Sequence, residues 1–185
     1  MAPIRLDGQV AIVTGASRGL GREYAMALAG RGARVLVHAR TAAAANPVAQ
    51  AIGVQGGEAF GWGAEITDAS AVQAMVEAVR TRWGRVDILV NNAGFVRDRS
   101  FAKLAPADFA AVVNAHLMGS FHCTHAVWPG MLAAGYGRIV MVVSSSGLAG
   151  NYGQAAYDAA KMGLVGLPQT LGMEGASRNV HTNCF

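Results

Sequence analysis

Residues 9–21 read QVAIVTGASRGLG, an apolar run followed by three glycines. Residues 9–14 predict a buried strand because they are short, rich in β-branched side chains and end at glycine. A helical pattern follows over residues 20–31, so the glycines lie in a strand-to-helix turn. Glycines in such a turn let backbone N–H groups and the positive end of the helix dipole approach a pyrophosphate. The spacing is T-G-x-x-x-G-x-G, and it predicts a phosphate-binding turn.

Strands and helices alternate along the rest of the chain. Further strands are predicted at residues 34–38, 58–63, 86–90, 138–143 and 180–185. Helices are predicted to start at Pro47, after a cap formed by Asp68, at Pro106 and at residue 154, and the one from Pro106 is predicted to break near Pro129. This alternation predicts a doubly wound parallel α/β sheet of the Rossmann type, truncated at its sixth strand, with ligands bound at the carboxyl ends of the strands.

Composition narrows the class of protein. The chain has 185 residues, 52% apolar and 14% charged, which predicts one domain over residues 1–185 with a buried parallel sheet. Its 15 Lys and Arg residues give a net charge of +4 but form no basic cluster, so we expect no nucleic-acid partner. Residues 1–10 lack the apolar region of a signal peptide, and residues 139–143 are too few to span a membrane. With two cysteines in no framework, we expect a cytoplasmic protein without membrane association.

The end of the second predicted strand bears on the type of dinucleotide. It reads His38-Ala39-Arg40. An acidic residue there selects NAD by bonding the ribose 2′-hydroxyl, whereas an arginine accommodates the 2′-phosphate of NADP. Arg40 can pair with a phosphate bidentately, and Arg18 in the glycine turn can approach from the other side. The pattern favours NADP(H), with NAD(H) as the alternative, unless both arginines are only solvated.

Tyr157 and Lys161 are the first candidate catalytic pair. Positions four apart share one face of a helix, so the phenol and the ammonium can point into the same site. A tyrosine is a poor base near neutrality, and a fixed cation nearby favours its phenolate. Ser144 lies thirteen positions before Tyr157, at the end of the fifth predicted strand. Ser145 and Ser146 are adjacent, so the choice of Ser144 depends on spacing.

These motifs together resemble the short-chain dehydrogenase/reductase family. The resemblance covers about residues 6–183 and includes TGASRGLG at 14–21, NNAG at 91–94 and YDAAK at 157–161. It implies an oxidoreductase that moves hydride between a nicotinamide dinucleotide and a carbonyl or secondary alcohol. It also implies a homodimer or homotetramer that pairs through the helices at residues 106–128 and 154–174.

The resemblance also implies roles for individual residues. Ser144 would bind the substrate oxygen, Tyr157 would act as general acid or base, Lys161 would hold the nicotinamide ribose, and Asn114 would position a water in a proton relay. Glu65 and Ile66 fall where the family has its adenine-pocket residues. The predicted cofactor-binding residues are Gly15, Ser17, Arg18, Gly19, Leu20, Gly21, Arg40, Glu65, Ile66, Asn91, Ala93, Gly94, Tyr157 and Lys161. No metal site is predicted, because His122 and His125 have no further ligand nearby in the sequence.

Residues 85–161 resemble one branch of the family more closely. They are similar to the (3R)-hydroxyacyl-CoA dehydrogenase domains of peroxisomal multifunctional enzymes and their bacterial relatives, which implies a 3-hydroxyacyl thioester or its 3-oxo partner as substrate. Phe95, Arg97 and Arg99 would then meet an anionic substrate tail or form a solvated loop. That branch has an acidic residue where Ala39 stands, so an NADPH-dependent 3-oxoacyl reductase is the second assignment.

The carboxyl end leaves two function classes open. Members of the family continue past residue 183 through a proline-glycine turn, a substrate-covering loop and a last strand, whereas this chain ends at Phe185. One hypothesis is a working oxidoreductase. The other is a catalytically silent dinucleotide-binding or interaction module, because an open site does not exclude water.

Overall fold

The apolar run after Gln9 forms the central strand of a six-stranded sheet in the computed structural model, which describes residues 4–185. All neighbouring strands pair in parallel, in the order β3-β2-β1-β4-β5-β6. This is the order of the doubly wound dinucleotide fold, so the predicted fold class is confirmed. The strands are β1 Val10–Val13, β2 Arg34–Ala39, β3 Ala59–Gly63, β4 Ile88–Asn91, β5 Gly137–Met141 and β6 Val180–Cys184.

Helices cover both faces of this sheet. They are α1 Gly19–Gly30, α2 Ala42–Val54, α3 Ala69–Trp83, α4 Pro106–Val113, α5 Gly119–Ala134, α6 Ser146–Ala149 and α7 Ala155–Gly175, with a π-helical turn at Asn114–Met118 and 3₁₀ turns at Phe101–Lys103 and Ala176–Arg178. Successive strand residues point to opposite faces. Ile12 accordingly packs with apolar side chains of α3, α5 and α7, and Val13 packs with those of α1 and α2.

The third helix begins where its cap residue predicts. The carboxylate of Asp68 accepts hydrogen bonds from the backbone N–H groups of Ser70 (2.8 Å) and Ala71 (3.1 Å). At the other end, Gly84 adopts the left-handed conformation with φ of 80° and closes the helix. The predicted start of this helix is therefore confirmed, and its end follows the common pattern of a left-handed glycine.

The predicted start of the second helix at Pro47 is wrong. The helix α2 begins one turn earlier, at Ala42, and Pro47 lies inside it. Thr41 caps this start, since its hydroxyl accepts from the N–H of Ala44 at 3.3 Å. The alanines that follow have the highest helix propensity, and Pro47 removes only one hydrogen bond near the start of the helix.

The predicted break near Pro129 is also wrong. The helix α5 continues through Pro129 to Ala134. The interruption lies earlier, in the π-helical turn Asn114–Met118 that joins α4 to α5. Such wide turns inside helices are rare and frequently occur at functional sites.

Two further expectations from the sequence concern a membrane span and a signal peptide. No helix among residues 4–185 is long and apolar enough to cross a membrane. Residues 1–3, which belong to the segment 1–10 assessed for a signal peptide, lie outside the described residues.

Candidate active site

The glycine turn after β1 is shaped by close backbone packing. Gly15 has φ of 63°, and a Cβ on it would lie 2.7 Å from the Cα of Ala93. Gly19 also has a left-handed φ, of 56°. The helix α1 begins at Gly19, its N-cap side chain, Arg18, makes no capping hydrogen bond, and its first turn holds no acidic residue. The first N–H groups of α1 therefore have no capping side chain, which suits a bound pyrophosphate.

A second turn, after β4, is hydrogen-bonded to the glycine turn. Thr14 Oγ1 accepts hydrogen bonds from the N–H groups of Asn92 and Ala93, both at 3.0 Å, and donates to the carbonyl of Val90 at 3.2 Å. The Asn92 amide donates to the carbonyls of Thr14 (2.9 Å) and Gly15 (3.1 Å). The two turns thus form one hydrogen-bonded unit at the carboxyl end of the sheet.

The side chain of Asn91 lies in the interior of the sheet. Its side chain is 2% exposed and donates to Thr124 Oγ1 at 3.0 Å and to the sulfur of Met141 at 3.2 Å. The amide of Asn91 therefore ties β4 to β5 and α5 in the interior. The amide that reaches the glycine turn belongs to Asn92, which sequence reasoning passed over although NNAG contains both.

His38, at the end of β2, is hydrogen-bonded to the glycine turn. Its Nδ1 accepts from the N–H of Gly15 at 3.2 Å, and its Nε2 lies 3.1 Å from the carbonyl of Ala64. Burial lowers the pKa of His38. The neutral ring with a proton on Nε2 satisfies both hydrogen bonds. His38 was not predicted as a site residue, because only the fold brings these three segments together.

The predicted dinucleotide-selecting residues lie around this unit. Arg18 and Arg40 are exposed, and neither side chain has a hydrogen-bonding or ionic partner among residues 4–185. Glu65 is exposed and accepts from the Thr67 hydroxyl at 3.4 Å. Ile66, in contrast, is buried against the small α5 residue Gly119, where a Cβ would approach it to 2.9 Å. Ser17 is half-buried and Leu20 is exposed at the edge of the turn.

The structure brings Tyr157 and Lys161 together on α7. The Lys161 Nζ lies 5.3 Å from the centre of the Tyr157 ring and donates a hydrogen bond to the carbonyl of Val142, just beyond β5. Lys161 is 4% exposed, and burial lowers its pKa to about 8. The ammonium is therefore mostly protonated at neutral pH, close to the phenol and held by the end of the fifth strand.

Ser144 lies two residues after Val142, at the same end of the sheet. Its hydroxyl is 2.8 Å from that of Ser146 and accepts from the Ser146 N–H at 3.3 Å. The short helix that follows packs against α7, since a Cβ on Gly147 would lie 3.5 Å from Lys161 Cβ. This packing places the serines beside the first turns of α7, which carry Tyr157 and Lys161.

Asn114 is not brought into this cluster. It is exposed at the start of the π-helical turn, and its side chain forms no hydrogen bond within the described part of the chain. The residue of this turn that contacts Tyr157 is His116, whose ring centre lies 5.1 Å from that of Tyr157 at an interplanar angle of 88°. The structure therefore places His116, and not Asn114, against Tyr157, and the role of Asn114 stays a prediction.

His116 is buried between Tyr157 and the turn after β4. Its Nε2 lies 2.8 Å from the carbonyl oxygen of Phe95 and 3.1 Å from the Phe95 nitrogen. Burial lowers the pKa of His116 to about 4, the bond to Phe95 opposes this shift and the charge of Lys161 adds to it. A Cβ on Gly94 would overlap the imidazole, so the last glycine of NNAG is needed for this contact.

The comparisons with known proteins agree with this geometry. A profile of the family described as short chain dehydrogenase matches residues 9–185. The chain belongs to the short-chain dehydrogenase family. This membership confirms the predicted family and its oxidoreductase class.

Three relatives illustrate the range of the family. The chain is 48% identical over 190 residues to peroxisomal multifunctional enzyme type 2 of Drosophila melanogaster, covering 97% of this chain and 31% of that enzyme. It is 42% identical over 179 residues to the 3-oxoacyl-[acyl-carrier-protein] reductase of Synechocystis sp., covering 96% of this chain and 72% of that protein. A solved structure of 7 alpha-hydroxysteroid dehydrogenase complexed with NADH and 7-oxo glycochenodeoxycholic acid is 33% identical, with a TM-score of 0.93, over 98% of this chain and 71% of that one. The chain thus spans about a third of the multifunctional enzyme.

In this short-chain dehydrogenase, a cavity of about 500 Å³ lies beside the loop after NNAG and is lined by Val96, Arg97, Asp98, Arg99 and Asp108. Arg97 forms an ion pair with Asp108 and lies over the Phe95 ring. The Arg99 backbone N–H donates to the carbonyl of Gly153 at 2.9 Å, while its exposed side chain donates to the carbonyl of Asp98. Of the two predicted anion-binding arginines, Arg99 therefore has no carboxylate partner among the described residues.

No metal cluster accompanies these residues. Within residues 4–185, no three His, Cys, Asp or Glu side chains are placed to hold a metal ion together.

Proposed function

We propose that this chain binds NADP(H), with NAD(H) as the alternative, and reduces a 3-oxoacyl thioester or oxidises the matching 3-hydroxyacyl thioester. The observation that carries the proposal is the pairing of Tyr157 with Lys161 on α7, where Lys161 donates to the carbonyl of Val142, two residues before Ser144 and at the same end of the sheet as the glycine turn. Family membership supports a nicotinamide dinucleotide, and the choice of NADP and of a thioester is our inference.

The residues around the glycine turn fit such a cofactor. The close approach of Gly15 to Ala93 and the uncapped start of α1 leave backbone N–H groups for a pyrophosphate. Arg18 and Arg40 have no carboxylate partner among residues 4–185. Neither is neutralised, and no acidic residue stands at Ala39, so a 2′-phosphate would meet positive charge.

The residues at the other end of the site supply acid–base chemistry. A bound nicotinamide would supply or take up the hydride. The Tyr157 hydroxyl gives its proton to the carbonyl oxygen during reduction and takes it back from the alcohol during oxidation. The Ser144 hydroxyl donates a hydrogen bond to the same oxygen, and the Lys161 ammonium favours the phenolate left behind.

Two of the relatives support a thioester substrate. One is named a 3-oxoacyl-[acyl-carrier-protein] reductase and another a peroxisomal multifunctional enzyme. The exposed Arg99 at the mouth of the cavity after NNAG offers a cation to an anionic tail. The cytoplasmic location stays a prediction, because some of the relatives are named as peroxisomal enzymes.

A catalytically silent cofactor-binding module is the second candidate. Leu148 and Tyr152, which lie in the segment between Ser144 and Tyr157, are 75% and 89% exposed. No residue of the described part of the chain covers these two apolar side chains, whereas hydride transfer benefits from a site that is closed to water.

A cofactor-oxidation assay tests the proposal. The purified chain is mixed with NADPH or NADH and a 3-oxoacyl thioester, and the absorbance of the reduced cofactor is followed. We expect turnover that is faster with NADPH and is lost in Tyr157→Phe, while cofactor binding measured by fluorescence is retained. Binding without turnover would favour the silent module, and turnover that survives Tyr157→Phe would contradict the mechanism.

We also propose a homodimer or homotetramer. Exposed apolar side chains occur along the outer faces of α4, the π-helical turn, α5 and α7, namely Phe109, Met118, Phe121, Met162 and Met173. An apolar surface of this kind marks an interaction site. Light scattering at micromolar concentration would contradict the proposal if it gave the 19.1 kDa mass of one chain.

A further inference from the structure

His116 is a polar ring in an unusual position. It is 4% exposed, and its Nδ1 is buried with no hydrogen-bond partner among residues 4–185. An unpartnered buried polar atom costs stability, so such atoms are uncommon in folded proteins. The ring is kept at this buried position despite that cost, so its neighbours show what it does there.

Three residues outside the π-helical turn hold His116 in place. Ser120 donates to the carbonyl of His116 at 2.6 Å and holds the backbone of the turn. The shorter of the two Nε2 contacts, 2.8 Å to the Phe95 carbonyl, is satisfied when Nε2 carries the proton. The missing side chain of Gly94 leaves room for the edge of the ring that carries Cε1 between the two nitrogens.

The His116 ring also packs against the ring of Tyr157. The two rings are nearly perpendicular, at 88°, with 5.1 Å between their centres, which is the favoured edge-to-face arrangement of aromatic pairs. Lys161 lies on the Tyr157 ring as well, with its Nζ 5.3 Å from the ring centre. Tyr157 therefore has a neutral aromatic neighbour and a cation within its first contacts.

We propose that His116 is a positioning residue, whose imidazole holds the Tyr157 ring in its catalytic orientation by direct edge-to-face contact. This inference rests on the proposed function, because it assigns Tyr157 as the acid–base group. It is separate from the water-positioning role that resemblance implies for Asn114, because the His116 ring contacts Tyr157 directly. Phe95 and Ser120 orient the imidazole, and the imidazole orients the phenol.

Three substitutions distinguish the contribution of the aromatic ring of His116 from that of its nitrogen atoms. His116→Leu removes the aromatic ring and both nitrogens while filling the space, His116→Phe restores only the ring, and His116→Asn restores only a polar side chain. We expect kcat to fall at least tenfold in His116→Leu, with substrate KM and cofactor Kd within about twofold, and to recover mostly in His116→Phe. His125→Leu, at an exposed position of α5, is the matched control and should leave kcat unchanged.

A spectroscopic measurement tests the contact without requiring turnover. The chain contains four tyrosines, so 3-fluorotyrosine labelling gives four ¹⁹F resonances, and Tyr157→Phe identifies the one from Tyr157. We expect this resonance to move in His116→Leu and His116→Asn and to remain near its original position in His116→Phe.

The outcomes distinguish this inference from the proposed function. Turnover that falls in His116→Leu and returns in His116→Phe, with the expected ¹⁹F pattern, supports both. A chain without turnover that still shows the ¹⁹F pattern overturns the proposed function and leaves the positioning contact supported. An unchanged Tyr157 resonance in His116→Leu, or full activity in His116→Asn with none in His116→Phe, overturns the inference.

Discussion

At the residue scale, single side chains determine which dinucleotide fits. Arg40 follows β2 directly, is exposed and has no carboxylate partner within residues 4–185. Its guanidinium is therefore available to a 2′-phosphate, which NADPH carries and NADH lacks. The neighbouring position, Ala39, provides no carboxylate to repel that phosphate.

The Arg40→Ala substitution should lower the affinity for NADPH about tenfold, because one charge-assisted hydrogen-bonding partner is lost. The affinity for NADH should stay within about twofold. Fluorescence titration of both cofactors measures the two dissociation constants. Arg80→Ala, which removes an exposed arginine from α3, is the control. Equal losses for NADPH and NADH in Arg40→Ala would contradict the assignment.

Residue-scale prediction from sequence succeeded where chemistry depends on local spacing. Tyr157 and Lys161 share a helix face whatever the rest of the fold does, and Gly15 has the left-handed conformation that its turn requires. His38 and Asn92 were missed because their partners lie far away in sequence. Nothing near His38 along the chain indicates that it will bond Gly15 and Ala64.

At the element scale, the π-helical turn explains why the sequence did not indicate His116 as a neighbour of Tyr157. A regular helix would have repeated every 3.6 residues, and Asn114 was chosen by its register with the other motifs. The wider turn at Asn114–Met118 changes which residue faces inward, so His116 occupies the place beside Tyr157. A single sequence carries no local pattern that distinguishes such a turn from an ordinary helical one. The parallel pairing of all six strands, in contrast, follows from the alternation of strands and helices.

The contact between the NNAG turn and the π-helical turn gives a prediction at this scale. Gly94→Ala places a methyl group on the His116 imidazole, so the turn and the ring must move apart. We expect the free energy of unfolding to fall by about 1–3 kcal/mol, as for overpacked sites, and any turnover to fall with it. Chemical denaturation and the cofactor-oxidation assay measure the two effects.

Gly130→Ala is the matched control for that change. Gly130 lies within α5, and a Cβ on it would meet no atom within 4 Å. Alanine is favoured over glycine inside a helix, so this variant should gain about 0.5–1 kcal/mol of stability. A Gly94→Ala protein as stable and active as the parent would show that the imidazole does not need this space.

At the scale of the whole molecule, two histidines are buried as neutral rings. Burial lowers the pKa values of both His38 and His116, and that of His116 falls to about 4 from an ordinary value of 6.5. The unfolded chain therefore binds a proton at the His116 position at a higher pH than the folded chain does. Stability changes with pH wherever the two states bind different numbers of protons.

The sign of this effect predicts loss of stability in acid. Between pH 6.5 and about 4 the unfolded state carries more protons at His116, so the free energy of unfolding falls as the pH falls through this window. The shift corresponds to a loss on the order of 3 kcal/mol by pH 4. Above pH 6.5 both states are neutral at this position, and His116 contributes no pH dependence there.

Urea denaturation of the parent chain and of His116→Phe at pH 7, 6, 5 and 4 isolates the contribution. His116→Phe removes the titrating group and keeps an aromatic ring against Tyr157, so the difference in stability between the two proteins should shift in favour of the variant as the pH falls. Carboxylates titrate in the same window but are common to both proteins, so their effect cancels in the difference. His125→Phe, at an exposed position, should track the parent at every pH. A difference between parent and His116→Phe that stays constant from pH 7 to pH 4 would mean that the imidazole is not buried as a neutral ring.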